Sequence, residues 1–142
     1  MLQLPYGLKP DARETLTAYL KALPREFQYV VEFRHKGWLK PETFRLPADH
    51  GVTLCLVDHP RSPRLAETTA DLVYIRLLGD RKDVSDDHYD TVTCDRSERI
   101  AWWAERVIEF LTRGHRVWVT TNNHYAGHSP ATIEGMRRLV GI

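Results

Sequence analysis

LVYIRLL, at residues 72–78, is the longest of several short apolar runs that decide the fold class. Three similar runs are YVVEF at 29–33, VTLCLV at 52–57 and VWVTT at 117–121, and LQL at 2–4 is a shorter fifth. Such near-continuous apolarity is typical of strands in a parallel sheet, because helices cover one face and a core covers the other. The sequence therefore predicts an α/β fold in which a parallel sheet is flanked by helices.

The strongest helical pattern covers residues 95–111. Asp95 is followed three residues later by Glu98, which is the spacing of a capping box, and Gly114 is placed to end the helix. The apolar positions recur at helical intervals and predict one buried face. These positions are Ile100, Trp103, Ala104, Val107, Ile108 and Leu111.

Further helices are expected between and after the strands. Pro10 is placed to begin a helix that ends before Pro24. Ser129 with Pro130 predicts the N-cap and the first residue of a last helix, and residues 40–46 have room only for a short one. Strand and helix thus alternate along the chain, and right-handed crossovers are expected between parallel strands.

The composition excludes several functional classes. The chain has 142 residues, with 20 Lys and Arg against 19 Asp and Glu. The resulting net charge of +1 gives no electrostatic indication of binding to nucleic acid or to an anionic membrane. No apolar run approaches the roughly 18 residues that span a bilayer, and the N-terminus lacks the pattern of a signal peptide. The two cysteines are far apart, which favours a reducing compartment. We therefore expect one cytoplasmic domain over residues 1–142.

Polar residues collect where the predicted strands end, which is the edge at which parallel α/β folds build their active sites. The candidate catalytic residues at this edge are Glu32, Arg34, His35, Asp58, Arg76 and Asn122. Glu32 and Arg34 are two residues apart and so leave the same face of their strand. In this hypothesis Arg34 and Arg76 hold an anionic group. Glu32 or Asp58 moves a proton, and Asn122 orients the substrate.

The charged candidates have a purely structural alternative. Glu32 could pair with Arg76 or Arg34 only to satisfy charges buried inside the fold, because an unpaired buried charge is very costly. The sequence leaves both interpretations open.

The histidines have the same ambiguity. His35 and His124 are catalytic or binding candidates, yet a histidine in a loop after a strand is often only a solvated or hydrogen-bonding residue. His124 and His128 are four residues apart, but no glutamate lies between them and they precede the last helix. No metal site is predicted from this spacing, and the sequence identifies no cofactor.

Two other positions are candidates for substrate binding. Trp38 follows the strand-end residues closely, where it could stack on a sugar or base or could instead seal the rim of the fold as core. The helix that opens at Ser129 offers free backbone N–H groups and a dipole that favour an anion.

Three segments carry a resemblance to a known family: VEFRHKGW at 31–38, VYIRLLGDRK at 73–82 and TNNHYAGHSPAT at 121–132, with LQLP at 2–5 before them. In this order they resemble the YecE-like family, domain of unknown function 72, over essentially the whole chain. The resemblance implies a TIM-barrel-like fold and no established activity. The matching positions are Gln3, Glu32, Arg34, His35, Trp38, Arg76, Gly79, Asn122 and Asn123. The predicted substrate-binding set is Gln3, Trp38, Gly79, Asn123, His124 and Ser129.

Members of that family are usually longer at the N-terminus by about a hundred residues, which at about 30 residues per βα unit is several strands. The resemblance therefore implies the C-terminal portion of a (β/α)8 barrel. One hypothesis is an enzyme, hydrolytic or lyase-like, acting on a small anionic or sugar-bearing substrate. The alternatives are a half-barrel subunit for binding or assembly, which pairs as a homodimer or with a separate N-terminal half, and a remnant of a truncated gene.

Overall fold

The computed structural model describes residues 1–84 and 89–142. It contains a five-stranded sheet in the order β1-β2-β3-β4-β5, and every neighbouring pair is parallel. The predicted α/β fold with a parallel sheet and flanking helices is therefore confirmed. The strands are β1 (Leu2–Gln3), β2 (Val30–Glu32), β3 (Thr53–Asp58), β4 (Leu72–Leu77) and β5 (Arg116–Thr121).

Helices follow four of the five strands. They are α1 (Arg13–Ala22), α2 (Pro41–Ala48), α3 (Ser97–Thr112) and α4 (Ser129–Val140). Short 3-10 turns at Pro10–Ala12 and Lys36–Trp38 precede α1 and α2. Residues 59–71, between β3 and β4, form no helix or strand. Among the helices of the described chain, none is long and apolar enough to cross a bilayer.

The helices and one face of the sheet enclose the main core, and we call this face the helix face. Parallel strands in chain order, joined by crossovers of one hand, place all their helices on the same side. The strand residues in this core alternate along each strand, as the pleat requires. They are Val31, Leu54, Leu56, Val73, Ile75 and Leu77, and they share one cluster with Leu16, Leu20, Phe44, Leu46, Trp103, Val107, Phe110 and Met136 from the helices.

The opposite face, which we call the open face, has a different cover. Val30, Cys55 and Leu72 form a small separate cluster there with Val57 and Tyr74, and no described helical residue belongs to it. On the edge strand β5, the next side chain on this face is Trp118, which is 62% exposed and lies 6.4 Å from the Tyr74 ring, centroid to centroid. The open face therefore has less apolar cover than the helix face.

The beginning and the buried face of α3 differ from the prediction. The N-cap is Arg96, whose side chain makes no capping hydrogen bond, so the predicted capping box between Asp95 and Glu98 is wrong. Asp95 instead accepts a hydrogen bond from the Ser97 N–H at 2.8 Å. Ile108 and Leu111 are 43% and 42% exposed. The larger ring of Phe110 takes their place in the core, because it lies three residues beyond the buried Val107.

The beginning of α4 also differs. Its N-cap is His128, so the prediction that Ser129 caps the helix is wrong. The Ser129 N–H donates to the side-chain oxygen of Asn123 at 2.9 Å, and an asparagine six residues upstream therefore takes the capping role. Because Asn123 takes the Ser129 N–H and Pro130 has none, the helix start has fewer free donors than the sequence analysis expected.

Candidate functional site

A buried carboxylate lies at the end of β2 on the open face. Glu32 is 2% exposed, and its Oε1 accepts a hydrogen bond from Gln3 Nε2 at 2.8 Å. Its Oε2 forms an ion pair with Arg76 Nη1. The parallel register opposes Gln3 to Glu32, which explains how β1 supplies one partner while β4 supplies the other. We call Gln3, Glu32 and Arg76 the Glu32 cluster.

Cys55 lies next to this cluster, with Sγ 4.0 Å from Glu32 Oε2. Burial, and then the charge of Glu32, raise the pKa of the Cys55 thiol to about 12. The thiol therefore stays protonated near neutral pH and acts as a weak donor to the carboxylate. Because the thiolate is the reactive form, the raised pKa disfavours a nucleophilic role for Cys55.

The Glu32 cluster borders a cavity of about 550 Å³, which we call the strand-end pocket. Arg34 lines it and lies over the Tyr6 ring, with its guanidinium carbon 3.8 Å from the ring centroid. Lys36 and Arg61 line it as well, and Arg61 Nε lies 3.3 Å from Asp80 Oδ2. The other lining residues include Gln3, Glu32, Phe33, Leu39, Cys55, Val57, His59, Ser62, Pro63, Leu65 and Leu78.

His59 contributes a neutral donor to this pocket. Burial, and then the charge of Arg61, lower the pKa of the His59 ring. Its Nδ1 accepts a hydrogen bond from the Arg61 backbone N–H at 3.1 Å. The hydrogen-bond pattern thus assigns the ring hydrogen to Nε2, which leaves that N–H as a possible donor to a ligand.

Asp58 lies on the helix face, apart from Glu32. Its carboxylate is 0% exposed and pairs with Arg99 of α3, with Nε at 3.1 Å from Oδ2. The Tyr125 hydroxyl donates to Oδ2 at 2.8 Å. The expectation that Asp58 shares a pocket with Glu32 is corrected, because residues 54, 56 and 58 of β3 alternate onto the helix face. We call Asp58, Arg99 and Tyr125 the Asp58 cluster.

Trp38 is a core residue. It is 1% exposed, stacks on Phe33 with 5.1 Å between ring centroids, and donates its indole N–H to the Leu8 carbonyl at 2.7 Å. The hypothesis that Trp38 stacks on a ligand at the pocket mouth is therefore corrected in favour of the core alternative. Beside it, His35 caps the 3-10 turn, since its Nδ1 accepts from the Gly37 N–H at 3.1 Å.

The candidates after β5, and Gly79 after β4, pack within the loops. Within the described chain, none of them lines the strand-end pocket. Gly79 has φ +65°, and a Cβ there would lie 2.2 Å from the His124 carbonyl oxygen, so only glycine fits. The Tyr89 hydroxyl lies 3.4 Å from His124 Nδ1. Asn122 holds the loop through its backbone, and its buried Oδ1 has no hydrogen-bond partner in residues 1–84 and 89–142.

The strand-end pocket thus combines some of the predicted residues and omits others. It unites Gln3, Glu32 and Arg34 directly, and Arg76 through its ion pair. Among the described residues, no three His, Cys, Asp or Glu side chains lie close enough together to hold a metal.

The sequence analysis missed several residues of the pocket, among them Tyr6, Lys36 and Arg61. Each lies in a loop just after a strand, on the same edge as the predicted candidates. The general rule that loops at this edge build the site could have included them. No pattern in the sequence distinguishes Arg61 from other loop arginines.

Solved structures with the same fold are found in two bacteria. A DUF72 family protein from Thermotoga maritima MSB8 has a TM-score of 0.74 and 24% identity, and the match covers 99% of this chain and 56% of that one. A DUF72 family protein from Enterococcus faecalis V583 matches in two crystal structures, with a TM-score of 0.71 in each and 18% and 19% identity. These matches cover 99% of this chain, which spans only 57% and 59% of the Enterococcus chains.

Among curated protein sequences, none is significantly similar to this chain. The family model described as "Protein of unknown function DUF72" matches residues 1–142, which is the whole sequence. The structural matches share the fold over almost the whole chain, at an identity that supports the fold alone. The chain therefore belongs to the DUF72 family of proteins of unknown function.

Proposed function

We propose that the strand-end pocket binds a small anionic ligand, and that the chain contributes this site to an enzyme built on a TIM-like (β/α)8 barrel. One observation carries the proposal: Arg34, Lys36 and Arg61 line one cavity in which Glu32 is the one acidic lining side chain of the described chain. Because Arg76 already neutralises Glu32, the charges of Arg34 and Lys36 are not cancelled there.

The concentration of charge is local. The whole chain has 20 cationic and 19 acidic side chains, so an excess of cations at one cavity is balanced by acidic groups elsewhere. A concave site raises the effect of such charges, because low-dielectric walls focus their field. Arg61 forms an ion pair with Asp80. Of the three cations that line the pocket, Arg34 and Lys36 have no ion pair among the described residues.

A catalytic role for this site is consistent with its groups. Glu32 offers a carboxylate oriented by two fixed partners, and His59 offers an N–H donor. A carboxylate and a donor around one cavity are the minimum for proton transfer in a hydrolytic or lyase-like reaction. The barrel assignment is supported by parallel strands in chain order with the helices on one face.

A thermal-melting series tests anion binding. We expect phosphate and sulfate to raise the melting temperature, since a ligand at 100 times its Kd adds about 2.7 kcal/mol to the free energy of unfolding. The double variant Arg34→Ala/Lys36→Ala keeps Arg76 beside Glu32 and should lose this rise. The control Arg137→Ala/Arg138→Ala removes two exposed arginines of α4 and should keep it. An equal rise in both double variants, or none in the parent chain, contradicts the proposal.

Assembly is a second candidate function, favoured by the exposed Trp118 on the open face. Parallel sheets are normally covered on both faces, and a bare edge strand recruits other strands. We infer that this face pairs with a second copy of the chain, and a two-fold dimer is the commonest symmetry for such a pair. Light scattering should then report a dimer that Trp118→Glu dissociates, whereas a monodisperse, cooperatively melting monomer contradicts it.

A further inference from the structure

The lining of the strand-end pocket contains two chemically distinct sets of polar groups. The first set is cationic: Arg34, Lys36 and Arg61. The second consists of Gln3 and the Glu32 carboxylate, which are already oriented by their mutual hydrogen bond of 2.8 Å. A simple inorganic anion needs only the first set. The presence of the second in the same cavity indicates a larger ligand with uncharged polar groups.

The second set has the donors and acceptors that hydroxyl groups require. One N–H of the Gln3 amide is used by Glu32, which leaves its other N–H and its carbonyl oxygen. Gln3 is exposed, so these atoms are accessible, and the Glu32 carboxylate has acceptor capacity beyond its bonds to Gln3, Arg76 and the Cys55 thiol. A sugar hydroxyl both donates and accepts, and a pair of adjacent hydroxyls matches an amide beside a carboxylate.

The remaining walls suit the carbon skeleton of such a ligand. Leu39, Val57 and Leu65 supply apolar surface, and the Tyr6 ring borders the cavity beneath the guanidinium of Arg34. The Tyr6 ring thus adds aromatic carbon surface to the same wall of the cavity. The cavity of about 550 Å³ lies within the range of small-molecule sites, about 300–1,000 Å³.

We propose that the ligand is a phosphorylated sugar, whose phosphate lies at Arg34, Lys36 and Arg61 and whose hydroxyls bond Gln3 and Glu32. This rests on the proposed function, in which the pocket binds an anion. A phosphate monoester carries about −1.5 to −2 charges at pH 7 and suits several cations better than a single carboxylate does. The arginines add the paired N–H donors that bind phosphate oxygens.

Calorimetric titration with three probes tests the inference: inorganic phosphate, glucose 6-phosphate and glucose. We expect glucose 6-phosphate to bind at least about tenfold more tightly than phosphate, and glucose alone to bind too weakly to measure. If phosphate binds and glucose 6-phosphate is no tighter, the inference is overturned while the proposed function stands. If neither phosphate compound binds, both fail.

Two variants assign the gain in affinity to the second set of groups. Gln3→Ala, at an exposed position, should reduce the preference for glucose 6-phosphate over phosphate to within about threefold while phosphate binding persists. Glu32→Gln should do the same and, by removing a negative charge, should bind phosphate no worse. Gln28→Ala, at another exposed glutamine away from this pocket, is the matched control and should keep the full preference. An unchanged preference in Gln3→Ala overturns the inference even if Glu32→Gln fails to fold.

Discussion

The two faces of the sheet each hold a buried carboxylate bound to an arginine, and the difference between them separates structure from function. Glu32 and Asp58 end neighbouring strands and are 2% and 0% exposed. Asp58 is enclosed between the sheet and α3 by Arg99 and Tyr125. Glu32 borders an open cavity lined by cations. The same charge pairing therefore holds the fold together on one face and can meet a ligand on the other.

The alternation of side chains along β3 places Asp58 on the helix face, whereas Glu32 of β2 lies on the open face. In the register of β3 and β4, Val57 opposes Arg76 while Asp58 opposes the fully buried Leu77. A shift of one residue along a strand moves a side chain to the other face of the sheet. Asp58 is thus one position away from the open face, and its chemistry alone does not reveal where it points.

The largest expected effect comes from breaking the ion pair between Asp58 and Arg99 on the helix face. Asp58→Asn should lower the free energy of unfolding by about 3–5 kcal/mol, because it removes the charge of a fully buried carboxylate that pairs with Arg99 and accepts from the buried Tyr125 hydroxyl. Glu32→Gln should cost less, about 1–3 kcal/mol, since water in the pocket can reach its partners. Urea denaturation of both variants measures the difference. A cost for Glu32→Gln that equals or exceeds that of Asp58→Asn would remove the distinction between the two faces.

The main features of the fold follow from the sequence, because short β-branched runs separated by helical patterns leave few topologies. The shared face of Glu32 and Arg34 follows from strand alternation for the same reason. The face of Asp58 could not be predicted, since VTLCLV is apolar at both odd and even positions. Which face is buried depends on the partner strands and helices, and these contacts are distant in sequence.

Two other differences between the prediction and the structure also arise from contacts that a local sequence pattern does not reveal. Trp38 is a core residue because the backbone carbonyl of Leu8, 30 residues away, accepts its indole N–H. The cap of α4 comes from Asn123 rather than Ser129 because the preceding loop folds back onto the helix start. Neither contact has a local pattern, so the sequence left Trp38 ambiguous and assigned the cap to the nearest serine.

A smaller effect tests whether water reaches the thiol of Cys55, which lies on the open face beside the strand-end pocket. Folding raises the pKa of Cys55 to about 12, whereas an unfolded thiol titrates near 8.5. The folded state thus binds this proton more tightly, and the contribution is complete below about pH 8.5 and is lost as the pH rises toward 12. We expect the stability of the parent chain, relative to Cys55→Ala, to fall between pH 8.5 and about 10.5 in urea denaturation. A constant difference would show that water reaches the thiol.

The most direct test of the difference between the faces compares Arg34→Ala with Tyr125→Phe, each melted with and without phosphate. Tyr125→Phe removes a buried hydrogen bond to a carboxylate, worth about 1.5–3 kcal/mol, so its melting temperature should fall by several degrees while the phosphate-induced rise persists. Arg34→Ala removes a partly exposed cation and a contact with Tyr6 worth about 0.5–1 kcal/mol. It should melt close to the parent chain and lose the phosphate-induced rise. The reverse pattern, with Arg34→Ala strongly destabilised yet still responsive to phosphate, would contradict the assignment of ligand binding to the open face.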